Sequence, residues 1–489
     1  MSFSRRSAAM VLAIVVTATS LAACSYSKEV SDPADDSRCK VTTKPATGKD
    51  DTADGAIPAT NPDAKNWGLD EDCTYTGAGD FSIDLSKCPV GWDLNSGVTT
   101  KINLFTSVPH SGALAAYGAI GDGMKSYFRY VNENGGIYGR KIDMKIFDDQ
   151  YQPDLTRKNV DKAIESNEYA ASFGLLGTAN NLAVRSHMNK QCMGQYLTGA
   201  SDNVLFDPGK HPWTSGFGLD YYNESAIWVE ALKRQYPEGA KVALVSIDNA
   251  LGKAYVQGFK RATKSTKFEV VTEQTNSPTA PNLDDQVTTA AGSKADVAIL
   301  IEAGTFCTQG IGAIEKSSWD PTLIVSNSCA QIETTFAPLQ KQGLTGNGTE
   351  TVRYYYAPDD ADVGDPRFAA LVSKKLKEHG LDSHNAQYAN GWFWAWYITA
   401  ILKDASVMKG GLNRATINIA SHQYNTRYPL MTEGVKGMVS GVTDAYPFES
   451  GQVYKYAGAT GKKAGTFAPV GKPIKNEGEL GNYTKAQRK

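Results

Sequence analysis

The groups in this 489-residue chain whose types could do chemistry are few: an acidic pair, Asp148-Asp149, six scattered histidines, seven cysteines and a glycine-lysine turn, GATGKK, at residues 458–463. Adjacent acids can share general acid–base work, but this pair closes an apolar strand pattern, where it reads as a set of loop and hinge hydrogen-bond acceptors. The histidines form no His-Glu-x-x-His pattern, and no cysteine spacing matches the paired Cys-x-x-Cys of a zinc site. GATGKK lacks the spacing of a phosphate-binding loop, and no Gly-x-Ser-x-Gly elbow presents a nucleophile. No catalytic residue, metal or cofactor is expected, and the chain is not expected to be an enzyme.

The best-defined chemistry lies at the N-terminus. Arg5 and Arg6 precede an apolar run over 8–21, the layout of a secretory leader and too short for a comfortable membrane span. The run ends in Leu21-Ala22-Ala23-Cys24 before polar Ser25, which resembles the bacterial lipobox. That resemblance implies cleavage after residue 23 and lipidation of Cys24. The protein is then exported and held by lipid on the outer face of the cytoplasmic membrane.

Composition sets further bounds. Length alone suggests about three domains' worth of chain. Lys plus Arg number 50 against 52 Asp plus Glu, a net charge of −2, so there is no bulk electrostatic footprint for nucleic acid. Hydrophobic residues at 41% and charged residues at 21% exclude wholesale disorder and a multi-span membrane protein.

The elements that must position any site begin at residue 101. Strands are expected over 102–106, 142–147, 171–175 and 195–198, separated by helices over 113–132, 155–166 and 181–189. The alternation restarts with helices over 225–234, 254–263 and 283–291 and strands over 242–246, 268–272, 297–301 and 322–325. This predicts α/β architecture: parallel sheets flanked by helices, in two lobes with a ligand cleft between them. Before it, residues 24–65 are rich in Asp, Thr, Pro and Lys and read as a flexible tether. Residues 66–98 read as a small cystine-containing preface. With Cys24 lipidated, six cysteines remain for disulfides in an oxidising compartment. Cys307 and Cys329 follow successive strands and form the best local pair; Cys73 with Cys88 is a second candidate, leaving Cys39 and Cys192.

At residues 130–153 the chain reads YVNENGGIYGRKIDMKIFDDQYQP. This resembles the Asn-x-x-Gly-Gly-Ile-x-Gly…Asp-Asp…Pro signature of type I periplasmic solute-binding proteins, in particular the leucine/isoleucine/valine-binding branch. The resemblance runs from about residue 101 to 456 and implies a two-lobed, hinged fold: lobe I over 99–221, lobe II over 222–351, returns to lobe I over 352–432 and to lobe II over 433–470, and a tail over 471–489. It implies capture of a small polar metabolite (an amino acid, amide or related compound) and its delivery to an ABC permease with its ATPase, by a protein expected to be monomeric. A ligand sensor for a membrane receptor, or an envelope interaction protein with a vestigial cleft, are the alternatives.

By position, the resemblance assigns ligand contacts to Tyr117, to Thr178, Ala179 and Asn180, and to Ala200, Ser201 and Asp202 in lobe I. Leu251, Thr305, Phe306 and Ser328 follow from lobe II, and Tyr388 from the return. The chain departs from the amino-acid binders in three places. Leu251 replaces a tyrosine, Asp202 replaces a threonine or serine, and Ser326-Asn327-Ser328 lacks the glutamate that pairs with an α-ammonium. Glu302 or Asp248 are the candidates to replace that acid, and amides, urea-like compounds and cationic metabolites enter as ligand classes.

Overall fold

A computed structural model describes residues 36–50, 52–112, 114–360, 363–458 and 465–475. The leader, Cys24 and the lysines of GATGKK lie outside the described residues. Ahead of the first lobe, β1 (Gly68–Leu69), β2 (Thr74–Thr76) and β3 (Ser82–Asp84) form a small antiparallel sheet. Lobe I then alternates β4 (Ile102–Val108), α1 (Ala119–Glu133), β5 (Ile142–Asp148), α2 (Pro153–Ser166), β6 (Ala171–Phe173), α3 (Thr178–Lys190) and β7 (Gly194–Tyr196). Its strands lie parallel in the order β5-β4-β6-β7.

The chain crosses near residue 220 into lobe II. There α4 (Tyr221–Gln235), β8 (Lys241–Ile247), α5 (Ala250–Thr263), β9 (Glu269–Asn276), α6 (Asp284–Gly292), β10 (Val297–Ile301), α7 (Thr305–Lys316), β11 (Thr322–Val325), α8 (Ala337–Lys341) and β12 (Glu350–Arg353) follow. The interior strand β10, Val-Ala-Ile-Leu-Ile, is buried at every position, as a parallel strand covered on both faces requires. The helix α7 between β10 and β11 was not expected from the sequence: its four glycine and threonine positions dilute the apolar period that marks the other helices. After β12 the chain returns to lobe I through α9 (Pro366–Glu378), α10 (Ala386–Val407), α11 (Arg414–Ala420), β13 (Asn425–Thr426) and β14 (Gly437–Met438). It ends in lobe II with β15 (Ser450–Ala457) and β16 (Thr466–Lys475), which close the sheet as antiparallel strands in the order β16-β15-β12-β11-β10-β8-β9.

Two boundaries differ from expectation. Residues 433–448 stay on lobe I, where the Val439 and Gly441 amides donate to Tyr424 and His422 carbonyls and Tyr446 stacks on Phe206. The last crossing comes where Phe448 bridges Leu219. Residues 471–475, expected in a tail, extend β16 because Gly451 and Ser450 supply partners for Ile474 and Lys475.

α10 is the hinge-side pillar of lobe I, buried on its whole circumference from Gly391 to Ser406. A helix apolar all round needs neighbours all round, and α1, α9, α11 and the N-terminal segment supply them. The approach of α1 to α10 depends on two glycines. A Cβ at Gly123 would stand 2.2 Å from the Tyr388 carbonyl oxygen, and one at Gly391 would stand 2.3 Å from that of Ile120.

The segment expected as a tether is ordered by contact from residue 36 onward. Ala56, Ile57 and Ala64 are buried. Ala46 donates to the Ser406 carbonyl, Asn61 to the Asp404 carboxylate, and Asp50 pairs with Lys403. Tyr127 on α1 donates to the Ala56 carbonyl over 3.0 Å. A low density of large apolar residues suggested a chain unable to bury enough surface; its backbone and charged groups instead complete the surface of α10.

The disulfides correct one expectation. Cys73 does not pair with Cys88; Cys39 pairs with Cys73, Cys88 with Cys192, and Cys307 with Cys329. Cys73 sits at the turn before β2 and Cys88 on the far side of β3, directed at the start of β7. Sequence separation does not set Cβ separation across a three-stranded meander. The preface is thereby clamped to lobe I, and Arg414, buried over the Trp92 ring at 4.6 Å, adds hydrogen bonds to the Cys192 and Ala170 carbonyls.

Candidate functional site

The C-terminal ends of the parallel strands of both lobes face each other, and between them lies a cavity of about 150 Å³, the size class that accepts a benzene-sized molecule. Lobe I lines it with Leu114, Tyr117, Tyr151, Leu176, Gly177, Thr178, Gly199, Ala200 and Ser201. Lobe II contributes Tyr221, Glu224, Leu251, Tyr255, Ala303, Asn327 and Ser328. The crossings and α10 add Phe217, Gly218, Leu219, Tyr354, Tyr355, Asn390 and Trp394.

Tyr117 links the lobes across the cleft. Its hydroxyl donates to the Ser328 carbonyl and accepts from the Gly304 amide, each over 3.2 Å. Leu114 of lobe I packs so closely on Gly304 that a Cβ there would lie 2.3 Å from its methyl carbon. The two lobes thus touch across the cleft at Tyr117 and Leu114.

At the lobe I end, α3 starts from Gly177, whose φ of 100° is open to glycine alone without strain. A side chain there would meet the Tyr151 ring at 2.8 Å. The turn leaves the first amides of α3 without intrahelical acceptors, beside the Thr178 hydroxyl, which shares a 3.1 Å hydrogen bond with the Tyr221 hydroxyl. Ser201 Oγ donates to the Phe217 carbonyl over 2.9 Å, fixing the crossing next to the cavity.

At the lobe II end stands Glu224, on the first turn of α4. Asp220 caps that helix, accepting from the Tyr222 and Asn223 amides at 3.0 and 3.1 Å. Glu224 accepts from the Tyr255 hydroxyl over 2.6 Å and from the Asn327 amide over 2.7 Å. Burial pushes the Glu224 carboxyl up to about 8 and the Asp220 carboxyl to about 6. Tyr221 and Tyr255 stack at 4.2 Å between ring centres, and Tyr355 stacks on Phe393 at 4.4 Å.

Of the residues assigned by position, Tyr117, Thr178, Ala200, Ser201, Leu251 and Ser328 line the cavity. The others do not. Ala179 is exposed on the outer face of α3, and Asn180 turns inward to donate to Asp149 at 3.3 Å. Asp202 caps the turn at Asn203–Leu205 through the Val204 amide. Thr305 is exposed and Phe306 packs into the core of lobe II on α7. Tyr388 presses its backbone on Gly123 at the start of α10, and Asn390 and Trp394, further along that helix, reach the cavity instead. Neither acid proposed to replace the missing glutamate lines the cavity. Glu302 is buried 2.7 Å from the Asn276 amide group, and Asp248 pairs with Lys253 at 2.9 Å. Asp148 and Asp149 serve as acceptors, Asp148 for Ser111 and the His110 amide, Asp149 for Ser107 and Thr156.

Sequence reasoning missed Tyr151, Tyr221, Glu224, Tyr255, Tyr354 and Tyr355. A usable signal existed for two of them, Tyr221 and Glu224. Asp220-Tyr221-Tyr222-Asn223-Glu224 is a capped helix start immediately after a lobe crossing, so its first turn must border the cleft.

A family model of periplasmic binding proteins matches residues 102–439, more than half of the chain, and the chain belongs to that family. Solved structures with the same fold include a fatty acid ABC transporter substrate-binding protein from Thermomonospora curvata, 22% identical, with a TM-score of 0.66 over 80% of this chain and 96% of that one. A branched-chain amino acid ABC transporter protein from Thermus thermophilus with bound valine is 16% identical, with a TM-score of 0.67 over 80% and 99%. A solute-binding protein from R. palustris in complex with benzoate is 17% identical, with a TM-score of 0.62 over 77% and 98%. No curated protein matches the sequence. The fold is the two-lobed type I arrangement expected from the sequence.

Proposed function

We propose that this protein is the solute-capturing component of an ABC importer. It closes its lobes on a small solute and presents the closed form to a membrane permease and its ATPase. The observation that carries this reading is the cavity between two lobes that Tyr117 bridges, its hydroxyl bonded to Ser328 and Gly304 of the facing lobe. Closure of hinged lobes on a ligand converts occupancy into a shape that a partner can read. Among the relatives of the same fold named above, one belongs to a fatty acid transporter, one holds valine and one holds benzoate, so the fold leaves the solute open and the cavity lining must decide it. Export and lipid attachment at Cys24 would hold the monomer at the membrane face where the permease opens.

Thermal denaturation of the chain from Ser25 onward, against amino acids, amides, amines, sugars and aromatic acids, tests the capture role. A ligand at 100 times its Kd stabilises a folded protein by about 2.7 kcal/mol. A folded protein that responds to no chemical class overturns the reading. Cys24→Ser, followed by cell fractionation, tests the anchor: the protein should move from membrane to soluble fraction.

A further inference from the structure

Tyrosines, leucines and small residues line most of the cavity, and its ionisable side chains other than tyrosine number one among the described residues: Glu224. None of the described lysines, arginines or histidines lines it. A carboxylate or phosphate ligand would lie beside a buried acid with no counter-cation in the lining, a costly arrangement. The reverse ligand charge meets a fitted environment. The two hydrogen bonds to Glu224, one on each oxygen, leave lone pairs on both for a further donor. The Tyr221 and Tyr255 rings and the Tyr354 ring stand around it, supplying the aromatic faces that attract organic cations.

We propose that Glu224 is the specificity-determining residue of this cleft and that the solute carries an ammonium group, which pairs with the Glu224 carboxylate inside the tyrosine-lined end of the cavity. This rests on the capture role proposed above and narrows its solute class. It also separates this cleft from those of the fatty acid and benzoate proteins of the same fold. The ammonium pairing expected from the β11 loop is supplied instead from the first turn of α4. The cavity volume limits the solute to a compact one, on the scale of a benzene ring with a few further atoms.

The titratable groups facing Glu224 are Asp220 and Tyr221 on its own helix, Tyr255 on α5 and Tyr354 after β12. None is a cation, and Asp220 reinforces burial in holding the proton on Glu224. An incoming ammonium group supplies the missing positive charge and drives that proton off.

Titration calorimetry at pH 7 with butylamine, choline, norvaline, butyramide and butyrate decides the matter. The ammonium-bearing members should bind and the amide and carboxylate should not. Their apparent binding enthalpy should depend on the ionisation enthalpy of the buffer, as release of about one proton requires. Glu224→Gln should weaken the ammonium ligands by about 30-fold or more, the loss expected when one partner of a buried charge pair is neutralised. The buffer dependence is read on the unaltered protein, so the test survives a variant that folds poorly. Butyrate or butyramide binding while the ammonium ligands do not, or ammonium binding with no proton release and no loss in Glu224→Gln, overturns the proposal and leaves the capture role standing. Silence from every member, and from the broader solute panel in a folded protein, removes both.

Discussion

Tyr117 and Glu224 do different jobs at the same cavity, and single substitutions separate them. Tyr117→Phe removes a hydroxyl that both donates to and accepts from lobe II while leaving the ring in place. At about 0.5–1.5 kcal/mol per hydrogen bond, solute affinity should fall several-fold to tens-fold, with the melting temperature of the unliganded protein little changed. Calorimetry and thermal denaturation of the same preparation check both halves. Glu224 also bears on stability through pH. Burial holds Glu224, Glu302 and Asp404 up to about 8, far above the ordinary carboxyl range. A raised acid stabilises the fold fully below its unfolded pKa and loses that contribution as pH rises through its folded value, because the unfolded chain binds fewer protons across that window. Unliganded protein should therefore melt at progressively lower temperature from about pH 5 to pH 8. A melting temperature that rises across that range would contradict the raised values of these three acids.

At the scale of elements, the α1–α10 crossing is the tightest joint in lobe I. Gly391→Leu would force a side chain into the space of the Ile120 carbonyl, and a backbone clash of that kind has no cheap rotamer solution. A loss of about 3 kcal/mol or more is expected, read as a shifted denaturant midpoint. Cys307–Cys329 acts on the site more directly. It joins α7 to the short turn Asn327–Cys329, whose Asn327 amide holds Glu224 and whose Ser328 carbonyl receives Tyr117. Replacing both cysteines with serine should cost about 3 kcal/mol from the loop closed over 22 residues. It should also weaken solute binding, which a disulfide remote from the cleft would not do.

For the whole molecule, the clamp of residues 36–98 falls on lobe I alone. Its disulfide to Cys192, its strand bridge at Lys409 and its hydrogen bonds to α10 all stay on one side of the hinge. Lobe I is thus the stiffened platform, and lobe II swings on the three crossings near residues 220, 355 and 448. Small-angle scattering should give a larger radius of gyration without solute than with it, and Cys88→Ser/Cys192→Ser should lower thermal stability without abolishing that change. Equal radii with and without solute would mean that the cleft does not open.

The amino-acid sequence by itself determined the strand–helix alternation over residues 101–325, α7 excepted, and the paired glycine turn at Gly135-Gly136. These depend on periods of two and 3.6 residues and on local turn chemistry, which neighbours in the chain dictate. Local pattern even marked Cys307 and Cys329, since each follows a strand of the same sheet. What only the tertiary structure decided are contacts between segments far apart in sequence. Cys88 meets Cys192 across 104 residues, Asp50 meets Lys403, and Glu224 meets Asn327. A segment poor in large apolar residues reads as free chain until the groove that receives it exists. An acid on a helix start likewise reads as ordinary capping until the facing lobe buries it, as the one carboxyl that the described residues bring to an aromatic cavity.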